Sequence, residues 1–500
     1  MMARRHGHLL KSCTSVIGFE HKLIKMATVA ATPSGKRELT GEERAYARNL
    51  LQKARAAMAA VEHYDQASVD RLCRALAWAI GNEHTATRLA NMSVDESGMG
   101  GREPTRRMKV LSVLRDALRQ KSVGVIEEIP EKGIVKYGKP GGVIASLIPV
   151  TSPYVTPATT AIYAVKCKDA VIFSPHPASK KTTNESVRIL RAALKHAGAP
   201  EDLLQCVEKP SIPLAQELMA ICDLTIATGG QPMVRAAYSS GKPAYGVGAG
   251  NATMVIDETA NIEDAARNTR ISKTNDNGSG CSADGNLLVD ASIYDGFLKQ
   301  LQDEGGYLVK EEEKDLLRRT YWDAEGHRTP ATIARPASRV AELTGFSIPS
   351  NKTFLIVQEE KIGKEHLFST EKLGTVLAIF KYSGFDQALD MAHRIFEVGG
   401  KGHSCGIYSF DDDHVHRLAQ MAPVSRIMVR QPQSKANAGS FTNGMPQTSS
   451  MGCGYWGGNI TNENISLKHY MNVTWVSRPI PEDRPSDEEL FGEFYNSQIF

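Results

Sequence analysis

Charge imbalance is nearly absent from this chain of 500 residues: 59 Lys and Arg stand against 56 Asp and Glu, a formal net charge of +3. A surface built to neutralise a phosphate backbone concentrates basic residues, so no nucleic acid is an expected partner. Long apolar runs are missing too. None approaches the roughly 20 residues that a membrane helix needs, and no membrane partner is expected. The eight cysteines (Cys13, Cys73, Cys167, Cys206, Cys222, Cys281, Cys405, Cys453) are scattered and contain no C-x-x-C pair. That spacing argues against a zinc ribbon and a dense disulfide framework, and it suits a reducing, cytoplasmic setting with no metal. Internal similarity at the 20 to 50 residue scale of solenoids is lacking as well.

What is present reads as a soluble α/β protein too long for one core, with two or three domains expected. Residues 1–35 stand apart: they are basic, with the first acidic residue at Glu20, and are read as a disordered segment or upstream extension outside the fold. Thr40 and Glu43 then have capping-box spacing before an alanine- and leucine-rich run, and Leu72, Leu76 and Ile80 recur four apart before Gly81. Helices are expected to about residue 120. "GVIEEIPEKGIVKYGKPGG" alternates and carries turn residues, as a pair of exposed strands does. A strand–helix rhythm follows over 141–245: "GGVIASLIPV", "DAVIFSPHP" and "DLTIATGG" as strands, with "NESVRILRAALKHAGAP" and "QPMVRAAYSSG" as helices. This alternation indicates a doubly wound parallel sheet, whose ligands bind beyond the carboxyl ends of the strands. A second α/β region, 252–435, has strands expected at "ATMVID", "NLLVD", "TFLIVQ", "TVLAIFKY", "SCGIYSF" and "SRIMVR".

Several short motifs carry chemistry. "GVGAGN" fails the G-x-G-x-x-G dinucleotide spacing and reads as a tight strand lead-in. Thr228-Gly229-Gly230 ends a strand before a helix, where backbone N–H groups and the helix dipole favour a phosphate; a plain turn is the other reading. Ser174-Pro175-His176-Pro177 with Lys180 and Lys181 is either a solvated lysine pair or an adenosine-ribose or 2′-phosphate site. Asp276-Asn277-Gly278 is turn chemistry, and it precedes Cys281 in "TNDNGSGCSADG". Cys453 in "GCGYWGGN" is the rival thiol, read as structural for want of polar turn residues. His403 in "GGKGHSCG" titrates in a range suited to assist a thiol, or is a satisfied buried histidine.

In that order, "IPVTSP", "FSPHP", "ATGGQPMVRAAYSSGKPAYGVGAGN", "DNGSGC" and "MGCGYWGGN" resemble the CoA-acylating aldehyde dehydrogenases over about residues 40–478. That group includes the acylating sulfoacetaldehyde dehydrogenases and the aldehyde dehydrogenase half of bifunctional aldehyde–alcohol dehydrogenases. The resemblance implies an aldehyde dehydrogenase-like α/β fold. Residues 36–120 would be the helical part of a Rossmann-type cofactor domain, 121–140 a strand oligomerisation segment and 141–251 the NAD(P)-binding core. Residues 252–435 would form the catalytic domain, and 436–500 a return to the cofactor domain plus a tail. It implies Cys281 as the nucleophile that forms a thiohemiacetal and then a thioester, with NAD or NADP as hydride acceptor and coenzyme A as co-substrate. The oxyanion would be held by the Cys281 N–H and a donor from Thr151-Ser152. Glu371 falls on the residue that contacts the nicotinamide ribose, Thr228, Gly229 and Gly230 on the pyrophosphate turn, Ser174, His176 and Gly248 on the cofactor edge, and His403 on the histidine of the acylating group. A homo-oligomer, dimer or tetramer, is implied as well.

One absence gains meaning from the resemblance. Hydrolytic members carry a glutamate in E-L-G-G that activates water, and here the segment is Tyr245-Gly246-Val247-Gly248. Without a positioned base, water attack loses about 10²–10⁴-fold, whereas a thiol needs less help, so CoA is the expected acceptor. The bifunctional enzymes read D-N-G-x-I-C-A-S-E and T-N-P; this chain has Ser279, Gly280 and Ser282 around the cysteine, and Ser152. A roomier, donor-rich pocket suits a sulfonate, which points to sulfoacetaldehyde ahead of acetaldehyde. A catalytically silent scaffold with the same fold is the alternative from another class.

Overall fold

The computed structural model describes residues 37–496, and the expectation for residues 1–35 lies outside them. The first helix, Gly41–Ala60, opens on the capping box that the sequence spells: Thr40 Oγ1 accepts from the Glu43 amide and Glu43 from the Thr40 amide, each at 3.1 Å. Helix Gln66–Gly81 buries Leu72, Leu76 and Ile80 as their spacing predicts, and helices Glu83–Ser97 and Arg107–Leu118 complete the opening helical region.

Strands β1 (Gly124–Ile129) and β2 (Ile134–Pro140) then form an antiparallel pair. Five strands follow: β3 (Val143–Leu147), β4 (Ala170–Ser174), β5 (Leu204–Cys206), β6 (Leu224–Thr228) and β7 (Ala244–Val247). Their spatial order is β5-β4-β3-β6-β7, all parallel, the doubly wound arrangement. The order reverses between β3 and β6, so the segments after Leu147, Ser174 and Thr228 share one edge. "GVGAGN" ends β7 and runs directly into the next strand at Thr253, in keeping with the expected strand lead-in. The three-residue β5 was not anticipated, being too short to carry a period.

The second sheet has seven parallel strands in the order β10-β11-β12-β9-β8-β13-β14. They are β8 (Thr253–Ile256), β9 (Asn286–Asp290), β10 (Gly306–Leu308), β11 (Phe354–Gln358), β12 (Val376–Tyr382), β13 (Cys405–Tyr408) and β14 (Ile427–Val429). Both faces are covered. Met254, Ile256, Leu287, Val289, Ile356 and Ile379 pack on one side, and Val255, Leu288, Leu355, Val357, Ala378 and Phe380 on the other. A sheet buried on both faces needs continuous apolar runs, which is why these segments are readable as strands from sequence. The three-residue β10 is the one this region's sequence does not announce.

Strand β15 (Met471–Ser477) returns to pair antiparallel with β2, making a three-stranded sheet in the order β1-β2-β15. Sequence patterning does not announce it, because its residues from Asn472 on are exposed and show no buried-face alternation. No helix among the described residues is long and apolar enough to cross a membrane.

Phe380 is fully buried at the centre of the seven-stranded sheet. Phe380→Ala is expected to cost about 3–5 kcal/mol by lost burial plus the cavity left behind, seen as a lower denaturant midpoint with far-ultraviolet dichroism unchanged before the transition.

Candidate active site

Strand order brings the candidate catalytic groups together. The central strands of the larger sheet run β12-β9-β8-β13, and Glu371, Cys281, Gly250 and His403 lie just before their respective amino ends. Neighbouring strands therefore present these four positions side by side.

Cys281 follows a turn with an unusual backbone. Asp276, Asn277 and Gly278 all have left-handed φ, at 52°, 53° and 67°. Asn, Asp and Gly are the residues that tolerate this region, which explains the D-N-G letters. A side chain at Gly278 would also strike the Gly374 carbonyl at 2.4 Å. The turn is tied down from outside. Asp276 Oδ1 accepts from the Gly101 amide at 2.6 Å, Oδ2 accepts from the Ser279 hydroxyl at 2.5 Å, and Arg106 pairs with the same carboxylate. Asn277 Nδ2 donates to the Gly100 carbonyl at 2.8 Å.

The Cys281 Sγ lies 3.0 Å from His403 Nε2. His403 is fully buried, and its Nδ1 sits 2.8 Å from Ser404 Oγ. A thiol that donates to Nε2 requires the tautomer with hydrogen on Nδ1, which then donates to Ser404. Burial pushes the thiol up to about 12, with the Glu371 and Cys453 charges adding to the rise and Arg426 opposing it. Burial, then the Arg426 charge, pushes His403 down to about 3. Both shifts favour the neutral thiol–imidazole pair at pH 7 over thiolate and imidazolium. Arg426, which sequence reading placed only as part of a strand, braces this corner: it donates to the carbonyls of His403 at 3.2 Å, Gly452 at 2.5 Å and Asn462 at 2.9 Å.

The G-x-G-x-G run has a packing explanation. Its alternate positions face the same way along an extended chain, and each is closed on by a neighbour. An added Cβ would lie 2.5 Å from Val234 and 2.8 Å from the Tyr238 ring at Gly246, 3.2 Å from Cys453 Sγ at Gly248, and 2.0 Å from the Cys281 carbonyl at Gly250. Gly250 also donates to Glu371 Oε1 at 3.1 Å, while Arg328 pairs with Glu371 Oε2 at 2.8 Å. Both carboxylate oxygens are thus engaged.

The remaining sequence candidates fall in two groups. Thr151 and Ser152 follow β3, and Arg106 joins them to the cysteine turn by donating to the Thr151 carbonyl and, at 2.7 Å, to Ser279 Oγ. The Ser152 amide donates to the Pro149 carbonyl at 3.3 Å, whereas the Thr151 and Ser152 hydroxyls bond no other group among the described residues. Ser279 and Ser282 are 4% exposed, and the Ser279 hydroxyl is committed to Asp276 and Arg106. Gly280 is exposed, with nothing within 4 Å of an added Cβ. Further along the same edge of the five-stranded sheet, Thr228 Oγ1 lies 2.8 Å from Ser450 Oγ, and Gly229 and Gly230 lead into helix Gln231–Tyr238, which has no side-chain cap. Ser174 ends β4, and His176 Nδ1 accepts from the Ala178 amide at 3.1 Å. Lys180 and Lys181 are exposed, but Glu96 takes the amides of Lys181 and Thr182 at 2.7 and 2.8 Å.

Sequence reasoning missed Arg106, Arg426 and Glu96. Nothing in "GREPTRRMKV" distinguishes Arg106 from its basic neighbours. A cavity of about 320 Å³ behind the turn, lined by Gly101, Thr105, Arg270, Thr274, Asp276 and Lys435 among others, includes neither Cys281 nor His403.

Comparison with known proteins gives consistent matches. A profile of the aldehyde dehydrogenase family matches residues 31–312. The chain is 44% identical to a sulfoacetaldehyde dehydrogenase of Acholeplasma sp over 89% of this chain and 93% of that one. It is 38% identical to a sulfoacetaldehyde dehydrogenase (acylating) of Bilophila wadsworthia, over 89% and 97%. The crystal structure of an acetylating aldehyde dehydrogenase from Geobacillus thermoglucosidasius superposes with a TM-score of 0.85 at 34% identity, covering 89% of this chain and 99% of that one.

With the thiol held high, alkylation of the free protein at Cys281 by iodoacetamide is expected to be slow at pH 7 and to rise through pH 10 without levelling off. A plateau below pH 8, from the rate of labelling of the Cys281 peptide, would show a preformed thiolate. Cys281→Ala is expected to abolish aldehyde oxidation and Cys453→Ala to retain it; the reverse pattern in a nicotinamide absorbance assay would exchange the two thiols.

Proposed function

The chain belongs to the aldehyde dehydrogenase family, and we propose that it interconverts sulfoacetaldehyde and sulfoacetyl-CoA with a nicotinamide cofactor. It is a CoA-acylating aldehyde dehydrogenase. The observation that carries the residue assignment is the 3.0 Å pairing of Cys281 with His403 at the edge where the two parallel sheets meet.

Cys281 Sγ attacks the aldehyde carbon while His403 Nε2, neutral at pH 7, takes the thiol proton. The donors we assign to the oxyanion of the thiohemiacetal are the Cys281 N–H, which has no carbonyl partner among the described residues, and the hydroxyls of Thr151 and Ser152. Each such donor contributes on the order of 3 kcal/mol when aimed at developing charge. A nicotinamide cofactor, when bound, accepts the hydride that converts the thiohemiacetal to the Cys281 thioester. The residues at the cofactor edge suit such a group: Thr228-Gly229-Gly230 lead into a helix with no side-chain cap, and the Gly229, Gly230 and Gln231 amides bond no other backbone group among the described residues, which leaves them for a pyrophosphate. Ser174 and His176 border the place for the adenosine ribose, and Glu371 the place for the nicotinamide ribose.

The thioester is protected from water by what surrounds it. Tyr245-Gly246-Val247-Gly248 supplies no carboxylate, and its glycines are packed against Tyr238 and Cys453. Glu371, whose charge acts on Cys281, has its oxygens occupied by Arg328 and the Gly250 amide. Burial raises the Glu371 carboxyl above its ordinary range against the pull of Arg328, but with both oxygens engaged it is not placed to activate water, so the CoA thiol is the acceptor that resolves the thioester. The exposed three-stranded sheet, with Trp475 59% exposed on β15, is the surface on which we place homo-oligomer contacts.

With NAD⁺ or NADP⁺, sulfoacetaldehyde is expected to support sustained nicotinamide reduction only when CoA is added, and at most one turnover per active site without it. Stopped-flow absorbance separates the two. Equal steady-state rates with and without CoA would contradict acylation, and absence of any turnover would favour a silent scaffold.

A further inference from the structure

Sulfoacetaldehyde has one methylene between sulfonate and carbonyl, so its anion must lie beside the thiol that attacks the carbonyl. Gly280, the residue next to Cys281, is exposed, and a Cβ built there meets nothing within 4 Å, so no side chain at this position crowds the approach to the thiol. The remaining requirement is a cation at that position. Among the described residues, Arg426 donates to the carbonyls of His403, Gly452 and Asn462 and Arg328 only to Glu371, so neither bonds the Thr151 loop or the turn before Cys281. Lys372 is buried and bonded to Asn286 and the Phe368 and Thr370 carbonyls, and Lys273 is 1% exposed.

Arg106 is placed differently. Its guanidinium spans the two loops that frame the reacting carbon, bonding the Thr151 carbonyl on one side and Ser279 Oγ on the other. Its side chain is 18% exposed, and its Nε donates to no group among the described residues. Tyr154, two residues past Ser152, is 3% exposed, and the Arg106 charge acts on its hydroxyl. That hydroxyl has no protein partner among the described residues. We infer that Arg106, with the Tyr154 hydroxyl beside it, is the specificity-determining group that binds the anionic tail of the aldehyde. This inference rests on the sulfonate reading of the same site.

The pairing with Asp276 makes the arrangement selective. The carboxylate fixes the guanidinium against the turn and balances its charge when the pocket holds no anion. An incoming sulfonate would accept from Arg106 Nε and the Tyr154 hydroxyl, the donors that no other group takes among the described residues, while Asp276 keeps its place on Gly101 and Ser279. A guanidinium presents several donors in a fixed fork that matches a tetrahedral anion, which a lysine does not. A neutral aldehyde gains nothing from those donors.

The test compares kcat/KM for sulfoacetaldehyde and propionaldehyde, with CoA and cofactor saturating, in the wild-type chain, Arg106→Lys and Arg106→Met. The ratio of the two is expected to fall about 100-fold in the Met variant, most of it in KM, and by less in the Lys variant. An equal fall for both aldehydes overturns the inference, since Arg106 would then serve only to hold the turn. Should the Met variant fail to fold, ethanesulfonate supplies a second measurement. It is expected to compete with propionaldehyde in the wild-type chain and to bind at least about tenfold more weakly to Arg106→Lys; unchanged inhibition overturns the inference. A wild-type chain that acylates CoA from propionaldehyde, yet neither oxidises sulfoacetaldehyde nor is inhibited by ethanesulfonate, removes the substrate reading and this inference with it.

Discussion

The position of Cys281 depends on one carboxylate. Asp276 holds three separate pieces of chain at once: the Gly101 amide, the Ser279 hydroxyl and the Arg106 guanidinium. Those bonds keep three successive residues in the left-handed region, a conformation that a free chain rarely holds. Charge-assisted bonds of this kind contribute about 1.5–3 kcal/mol each, enough to outweigh the cost of two non-glycine residues at positive φ. With the turn fixed, Cys281 is presented with its sulfur on His403 and its amide unspent.

The site as a whole is assembled by two sheet edges. The five-stranded sheet contributes the carboxyl ends of β3, β4 and β6, with Thr151, Ser174 and Thr228. The seven-stranded sheet contributes the approach to β12, β9, β8 and β13, with Glu371, Cys281, Gly250 and His403. The glycines of 246–250 run between them, and each missing side chain lets a neighbouring backbone or ring come closer. The same packing that narrows this junction engages both oxygens of Glu371, through Arg328 and the Gly250 amide.

Much of this was legible in the letters. Continuous apolar runs such as "TVLAIFKY" mark strands buried on both faces, and the 3.6 period of Leu72, Leu76 and Ile80 marks a buried helix face. D-N-G before Cys281 named the left-handed turn, because few other residues accept that backbone. Strands β5 and β10 escaped because three residues carry no period, and β15 because its exposed residues have no core to alternate towards. At the site, Cys281, His403, Thr151 and Glu371 were placed by motif. Arg106, Arg426 and Glu96 were not, since each acts on residues distant in sequence: Arg106 and Ser279 are 173 positions apart. The Ser279 hydroxyl, expected to face the pocket, is instead bound to Asp276 and Arg106, a partnership that only the fold creates.

The central claim is that Cys281 carries an acyl group that waits for a thiol. Intact-protein and peptide mass spectrometry after mixing the chain with sulfoacetaldehyde and oxidised cofactor, with CoA withheld, tests it directly. The account predicts one sulfoacetyl group on the peptide that holds Cys281, persistent in water and removed on addition of CoA with formation of sulfoacetyl-CoA. An adduct that water removes as fast as CoA does, or one found on the Cys453 peptide, would contradict it.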